Sequence, residues 1–103
     1  MTSAKERIEE MLKTNRVFLF MKGTPAFPQC GFSARAIAIL RESGVDFGSF
    51  NVLEDPEIRE GVKEYGQWPT IPQLYVNNQL IGGSDIMLEM FENGELQQVL
   101  AEK

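Results

Sequence analysis

The chain has 103 residues, 43% of them hydrophobic, and a formal net charge of -5, which is enough apolar content for one core and one domain spanning residues 1–103. The acidic balance and the lack of any Lys/Arg run argue against a nucleic-acid binder, and the absence of histidine excludes Cys-His acyl transfer and His-ligated zinc within one chain. A lone cysteine also excludes an internal disulfide, so nothing in the composition calls for an oxidising compartment.

In chain order, Ser3-x-x-Glu6 is a capping-box pattern, and Ile8, Met11 and Leu12 recur at helical spacing, which predicts a first helix to about Lys13. No basic leader or apolar h-region occupies Met1–Asn15, and no stretch approaches bilayer length, so no membrane association is expected. A reducing cytoplasm is the expected compartment, or an organelle matrix if a transit peptide has been trimmed. Val17–Met21 is an unbroken apolar run rich in β-formers and suits a central strand covered on both faces.

A loop from Lys22 to Gln29 leads to a helix with Ala36, Ile37 and Leu40 inward and Ser43-Gly44 as its stop. Phe47–Leu53 resumes extended structure, and the strand, helix, strand order implies a parallel pair. Asp55-Pro56 provides an N-cap and a first helical residue, Ile58, Val62 and Tyr65 line one face, and Gly66 is the expected end. Gln73–Val76 and Gln79–Ile81 flank Asn77-Asn78 as a β-hairpin. Gly82-Gly83 precedes a helix starting near Ser84-Asp85 with Ile86, Met90 and Phe91 inward, and Leu96–Leu100 forms a short last helix. The expectation is an α/β fold, a mixed four-stranded sheet with helices on both faces.

Cys30 is the candidate reactive group. It follows the central strand and sits at the start of a helix, where backbone N–H groups stabilise an anion and lower a thiol pKa. A lone cysteine is more commonly a small buried hydrophobe, but the flanking Pro28 and Gly31 are poor core companions, and Lys22 and Arg35 offer positive charge nearby. With Ser33 in place of a second cysteine, a mixed disulfide on Cys30 must be resolved by an outside thiol. Ligands of a parallel βαβ unit bind beyond the C-terminal strand ends, where the Lys22–Cys30 loop lies. Trp68-Pro69-Thr70-Ile71-Pro72 and Gly82-Gly83-Ser84-Asp85 are the other segments that can reach such a site, the latter offering free N–H groups to a carboxylate. Arg59, with Lys63 one turn on, could hold a second carboxylate, although a solvent-facing arginine is the default. Phe27, Phe32 and Trp68 suit either an apolar rim or the core. By base rate the bond before Pro72 is trans.

Five segments together, Met21-Lys22-Gly23-Thr24-Pro25, Pro28-Gln29-Cys30-Gly31-Phe32-Ser33, Asp55-Pro56-Glu57-Ile58-Arg59, Trp68-Pro69-Thr70-Ile71-Pro72-Gln73 and Gly82-Gly83-Ser84-Asp85-Ile86, closely resemble the monothiol glutaredoxins of the Cys-Gly-Phe-Ser type in order and spacing. The resemblance implies a thioredoxin fold with a cis bond before Pro72 and a glutathione groove beside Cys30. It also implies that Lys22 and Arg59 hold the glycine carboxylate, that the Ile71 backbone pairs with the cysteinyl part, and that Ser84 and Asp85 receive the γ-glutamyl end. Many members carry a second cysteine where Ser84 stands, so one route to a regulatory disulfide is missing here.

The resemblance further implies a labile [2Fe-2S] cluster. Such a cluster takes four ligands, and two Cys30 thiolates with two glutathione thiolates would supply them, giving a monomer when apo and a homodimer with cluster. Cluster carriage to apo iron-sulfur proteins, with a BolA-like protein as partner, is the first functional expectation. Glutathione-dependent thiol-disulfide exchange through Cys30, with weak oxidoreductase activity, is the second.

Overall fold

The computed structural model describes residues 3–102 and places a four-stranded sheet between two helical layers. Helix α1 (Ala4–Thr14) begins at Ser3, whose Oγ accepts the Glu6 N–H at 3.2 Å, while the Ser3 hydroxyl donates to the Glu6 carboxylate at 3.1 Å. Strand β1 (Val17–Met21) is buried along its whole length. Around it come α2 (Gly31–Ser43), β2 (Gly48–Asn51), α3 (Pro56–Gly66), β3 (Gln73–Val76), β4 (Gln79–Gly82), α4 (Ser84–Asn93) and α5 (Glu95–Ala101). The strand order is β2-β1-β3-β4, with β1 parallel to β2 and antiparallel to β3.

Alternation along β1 explains why both faces are covered. Val17, Leu19 and Met21 join the core formed with α2, α4 and α5, whereas Phe18 and Phe20 join the one formed with α1 and α3. Each such side chain contributes about 1.5–3 kcal/mol by burial, so this short strand anchors both layers at once. Phe20 meets the Tyr75 ring edge-on at 5.8 Å between centroids, and Phe18 lies 5.0 Å from Phe20. Asn77 and Asn78 both adopt positive φ, 51° and 67°, as a two-residue turn matched to strand twist requires.

Several expected boundaries move for identifiable reasons. The second strand ends at Asn51, because its side chain accepts the Leu53 N–H at 3.0 Å and starts a short 3₁₀ turn over Val52–Glu54. Gly66 is the last residue of α3, but the left-handed cap is Gln67, at φ 53°. What fixes glycine at 66 is space, since a methyl there would lie 2.5 Å from the Tyr75 hydroxyl. On α4 the fully buried residue is Met87, while Ile86 faces a cleft. The Ile71–Pro72 bond is cis, so the base-rate reading of this bond is corrected and the expectation from the resemblance holds.

Asp55 caps α3 as expected, accepting the N–H groups of Glu57 and Ile58, and Arg7 of α1 donates to its other oxygen at 2.6 Å. Among the described residues no helix is long and apolar enough to cross a membrane.

Candidate functional site: a thiol between two halves of a cleft

The loop ahead of Cys30 is a small hairpin of its own. Thr24 and Phe27 exchange backbone hydrogen bonds at 3.0 and 3.2 Å, Gln29 N–H donates to Lys22 O at 2.9 Å, and Gly23 bridges to Pro28. Gly23 makes this turn possible. Its φ is +94°, and a methyl there would sit 2.5 Å from Gln29 N and 2.6 Å from Phe27 O. Its N–H donates to the Asn51 side chain at 2.9 Å, so the asparagine that ends β2 also ties down the loop.

Cys30 occupies the N-cap of α2 and is half-buried. Its thiol is held below the ordinary cysteine value, chiefly by the Ser33 backbone N–H; burial opposes this, and the Phe32 N–H, the Lys22 charge and the Ser33 hydroxyl add to the lowering. No side chain caps the helix with a hydrogen bond of full geometry, so these amides act on the sulfur as oriented dipoles. Ser33 is fully buried, and its Oγ accepts the Lys22 N–H at 3.0 Å. The residue that replaces a second cysteine therefore joins the end of β1 to the first turn of α2.

From the thiol the surface opens in two directions. One cavity, about 300 Å³, contains Cys30 with Lys22, Arg59 and Lys63, and is closed on the other side by Pro69, Thr70 and Ile71. An adjoining cavity of about 180 Å³ runs past Trp68 and Pro72 to Gly83, Ser84 and Asp85. Phe32, Thr70 and Ile71 line both, so the two form one cleft with three cationic side chains at one end and the start of α4 at the other. Gly83 caps α4 without any side-chain hydrogen bond, which leaves that helix start available to an anion.

The six residues expected to carry the thiol and its glutathione, Lys22, Cys30, Arg59, Ile71, Ser84 and Asp85, line this cleft. Arg35 does not. It reaches across from α2 to the Asp85 carboxylate at 3.2 Å, an exposed pair of small energetic weight. Of the three aromatic candidates, Phe32 and Trp68 line the cleft and Phe27 is 74% exposed on the hairpin, so none of them is core. Lys63 joins the cationic end while pairing with Glu60 at 3.2 Å. Asn51 and Gln73 brace the cleft from behind; Gln73 ends the Trp68–Gln73 segment that carries the resemblance, but nothing local to either residue indicates this bracing role.

A four-stranded mixed sheet with helices on both faces, a thiol at the N-cap of the helix after the central strand, and a cis-proline across the cleft from it define the thioredoxin fold. Comparison with known proteins narrows this class. The Glutaredoxin family model matches residues 17–81. A monothiol glutaredoxin (ycf64-like) of Synechocystis sp. is 54% identical over 93% of this chain and 90% of its own length, and the mitochondrial monothiol glutaredoxin-5 of Saccharomyces cerevisiae is 53% identical over 98% and 69%. Among solved structures, reduced apo GrxS14 of poplar superposes with a TM-score of 0.82 at 46% identity, covering 91% of this chain and 86% of that one. The chain belongs to the glutaredoxin family, and its relatives here are monothiol members, as the Cys-Gly-Phe-Ser segment led one to expect.

Proposed function

We propose that the chain binds glutathione in the cleft and, through Cys30, shares a labile [2Fe-2S] cluster between two subunits as cargo for apo iron-sulfur proteins. The observation that carries the reading is the cleft itself: a cation-lined end and an uncapped helix start lie at opposite ends of a groove with a low-pKa thiol on its wall. A tripeptide with a carboxylate at each end and a thiol between them matches that polarity. Lys22 and Arg59 would take the glycine carboxylate, the Ile71 backbone the cysteinyl part, and the Ser84–Asp85 start of α4 the γ-glutamyl carboxylate.

The donor set fits a shared cargo. Among the described residues no group of three or more His, Cys, Asp or Glu side chains is placed to hold a metal ion, and the chain has one cysteine. One thiolate per chain is a quarter of what the cluster needs. Two chains and two glutathione thiolates complete the set, and the non-covalent half can leave without breaking a protein chain. A BolA-like protein in place of one subunit belongs to the same proposal, as does a reducing cytoplasm or organelle matrix as the setting.

Thiol exchange is a second reading, favoured by the partial exposure and lowered pKa of Cys30. In that cycle the Cys30 thiolate attacks the glutathionyl sulfur of a mixed disulfide and the substrate leaves as a thiolate. A second glutathione thiolate then attacks the Cys30–glutathione bond, forming oxidised glutathione and restoring Cys30. Mixing cluster-loaded protein with apo-ferredoxin separates the two. Growth of the ferredoxin circular dichroism faster than from free iron and sulfide supports carriage; equal rates would remove it and leave exchange.

The anchors can be tested separately. Lys22→Ala and Arg59→Ala are each expected to weaken glutathione binding by about five- to tenfold, the effect of losing one partly solvated charged hydrogen bond. Lys63→Ala should cost less, because that ammonium is already paired with Glu60. Calorimetric titration with glutathione checks all three.

A further inference from the structure

Gln73 is the largest polar side chain in the core. It opens β3 on the face packed against α1 and α3, pairs in register with Phe20, and is fully buried. A buried amide costs about 1–3 kcal/mol unless its donors and acceptor are served. Here all are served. Nε2 donates to Trp68 O at 3.1 Å and to Thr70 O at 3.2 Å, and Oε1 accepts from the Tyr75 hydroxyl at 3.0 Å. Burial pushes the Tyr75 hydroxyl up to about 12, so it stays a donor across the physiological range.

The two carbonyls belong to a stretch, residues 68–72, that has no strand or helix ladder of its own. That stretch supplies Thr70 and Ile71 to both halves of the cleft. The same amide also borders the element that carries the cationic anchors. A methyl on Gly66, at the end of α3, would lie 2.9 Å from Gln73 Oε1 and 2.5 Å from the Tyr75 hydroxyl, and Trp68 N–H donates to Lys63 O at 3.0 Å. Gln73 is thus the point where β3, the 68–72 segment and the end of α3 are fixed to one another.

We propose that Gln73, held by Tyr75, is a positioning residue for ligand binding: it holds the 68–72 segment, whose Ile71 backbone takes the middle of the tripeptide, against the cavity that Arg59 and Lys63 line. The inference rests on the glutathione reading above. Gln73 touches no ligand and acts through the carbonyls of Trp68 and Thr70.

The test is glutathione titration of wild type, Gln73→Met and Leu100→Ala, followed by fluorescence of Trp68, the one tryptophan of the chain, which lines the cleft. Gln73→Met keeps length and removes all three hydrogen bonds. Leu100→Ala is a core truncation on the opposite sheet face that controls for lost stability. The expected result is a Kd raised about tenfold in Gln73→Met, equivalent to about 1.4 kcal/mol, with Leu100→Ala within twofold of wild type. A folded Gln73→Met that binds as wild type does, or an equal loss in Leu100→Ala, overturns the proposal. If Gln73→Met does not fold, Tyr75→Phe decides: it removes one hydroxyl, and a Kd about threefold higher supports the positioning role, while an unchanged Kd overturns it. Wild type that binds no glutathione would instead remove the reading beneath.

Discussion

Cys30→Ser is expected to hold no cluster after anaerobic loading with iron, sulfide and glutathione, and to show no exchange with glutathione mixed disulfides. Cys30 is the one thiolate that the chain itself gives to the cluster and the one protein nucleophile of the exchange cycle, and a serine hydroxyl is far less acidic and less nucleophilic than a thiol at the same helix start. Stability should change little, because Cys30 is half-buried and serine is a good N-cap. Iron analysis and urea unfolding together separate the chemical loss from a folding defect. In wild type the alkylation rate of Cys30 should rise with pH through a midpoint below that of a free thiol, since the Ser33 N–H and then the Phe32 N–H and Lys22 favour the anion. Because the folded pKa is depressed, the stability contributed by this group is present at high pH and lost as pH falls through the folded midpoint. Lys22→Ala should move that midpoint up without reaching the free value, since the Ser33 amide is the larger cause.

Gly23→Ala is the second large effect. The added methyl meets two backbone atoms, at 2.5 and 2.6 Å, and the residue must also hold φ +94°. Neither contact is the end of a flexible side chain, so the hairpin between β1 and Cys30 has to open. A loss of about 2–4 kcal/mol is expected from the combination of backbone clash and strained φ. Opening the hairpin also disturbs the Lys22–Ser33 bond, so the Cys30 midpoint should rise along with the loss of stability. Gly31→Ala is the matching control. A methyl there meets nothing within 4 Å, and the change should stay within about 0.5 kcal/mol.

Much of this arrangement could be read from the sequence because local chemistry and fold agree. Asp55-Pro56, Ser3-x-x-Glu6 and Asn77-Asn78 each state a cap or a turn in residues next to one another, and each forms. Cys30 and Ser84 at helix starts and Lys22 just past a strand end are positions that local residues alone give, and all three line the cleft. What escaped depended on distant partners. Nothing local distinguishes Gly66 as a residue excluded by the Tyr75 hydroxyl from an ordinary helix stop, and the roles of Asn51 and Gln73 exist only once the strands are paired. Ile86, expected to face inward, lines the cleft instead, because helical spacing reports a face but does not say whether that face meets the sheet or a cleft.

The most direct test of the central claim is anaerobic reconstitution of the wild-type chain with ferrous iron, sulfide and a non-thiol reductant, with and without glutathione, read by visible circular dichroism and by sedimentation. The account predicts a [2Fe-2S] spectrum that needs glutathione and sediments as a dimer, while the apo chain sediments as a monomer. A cluster that forms without glutathione, or one that stays on a monomer, would contradict it.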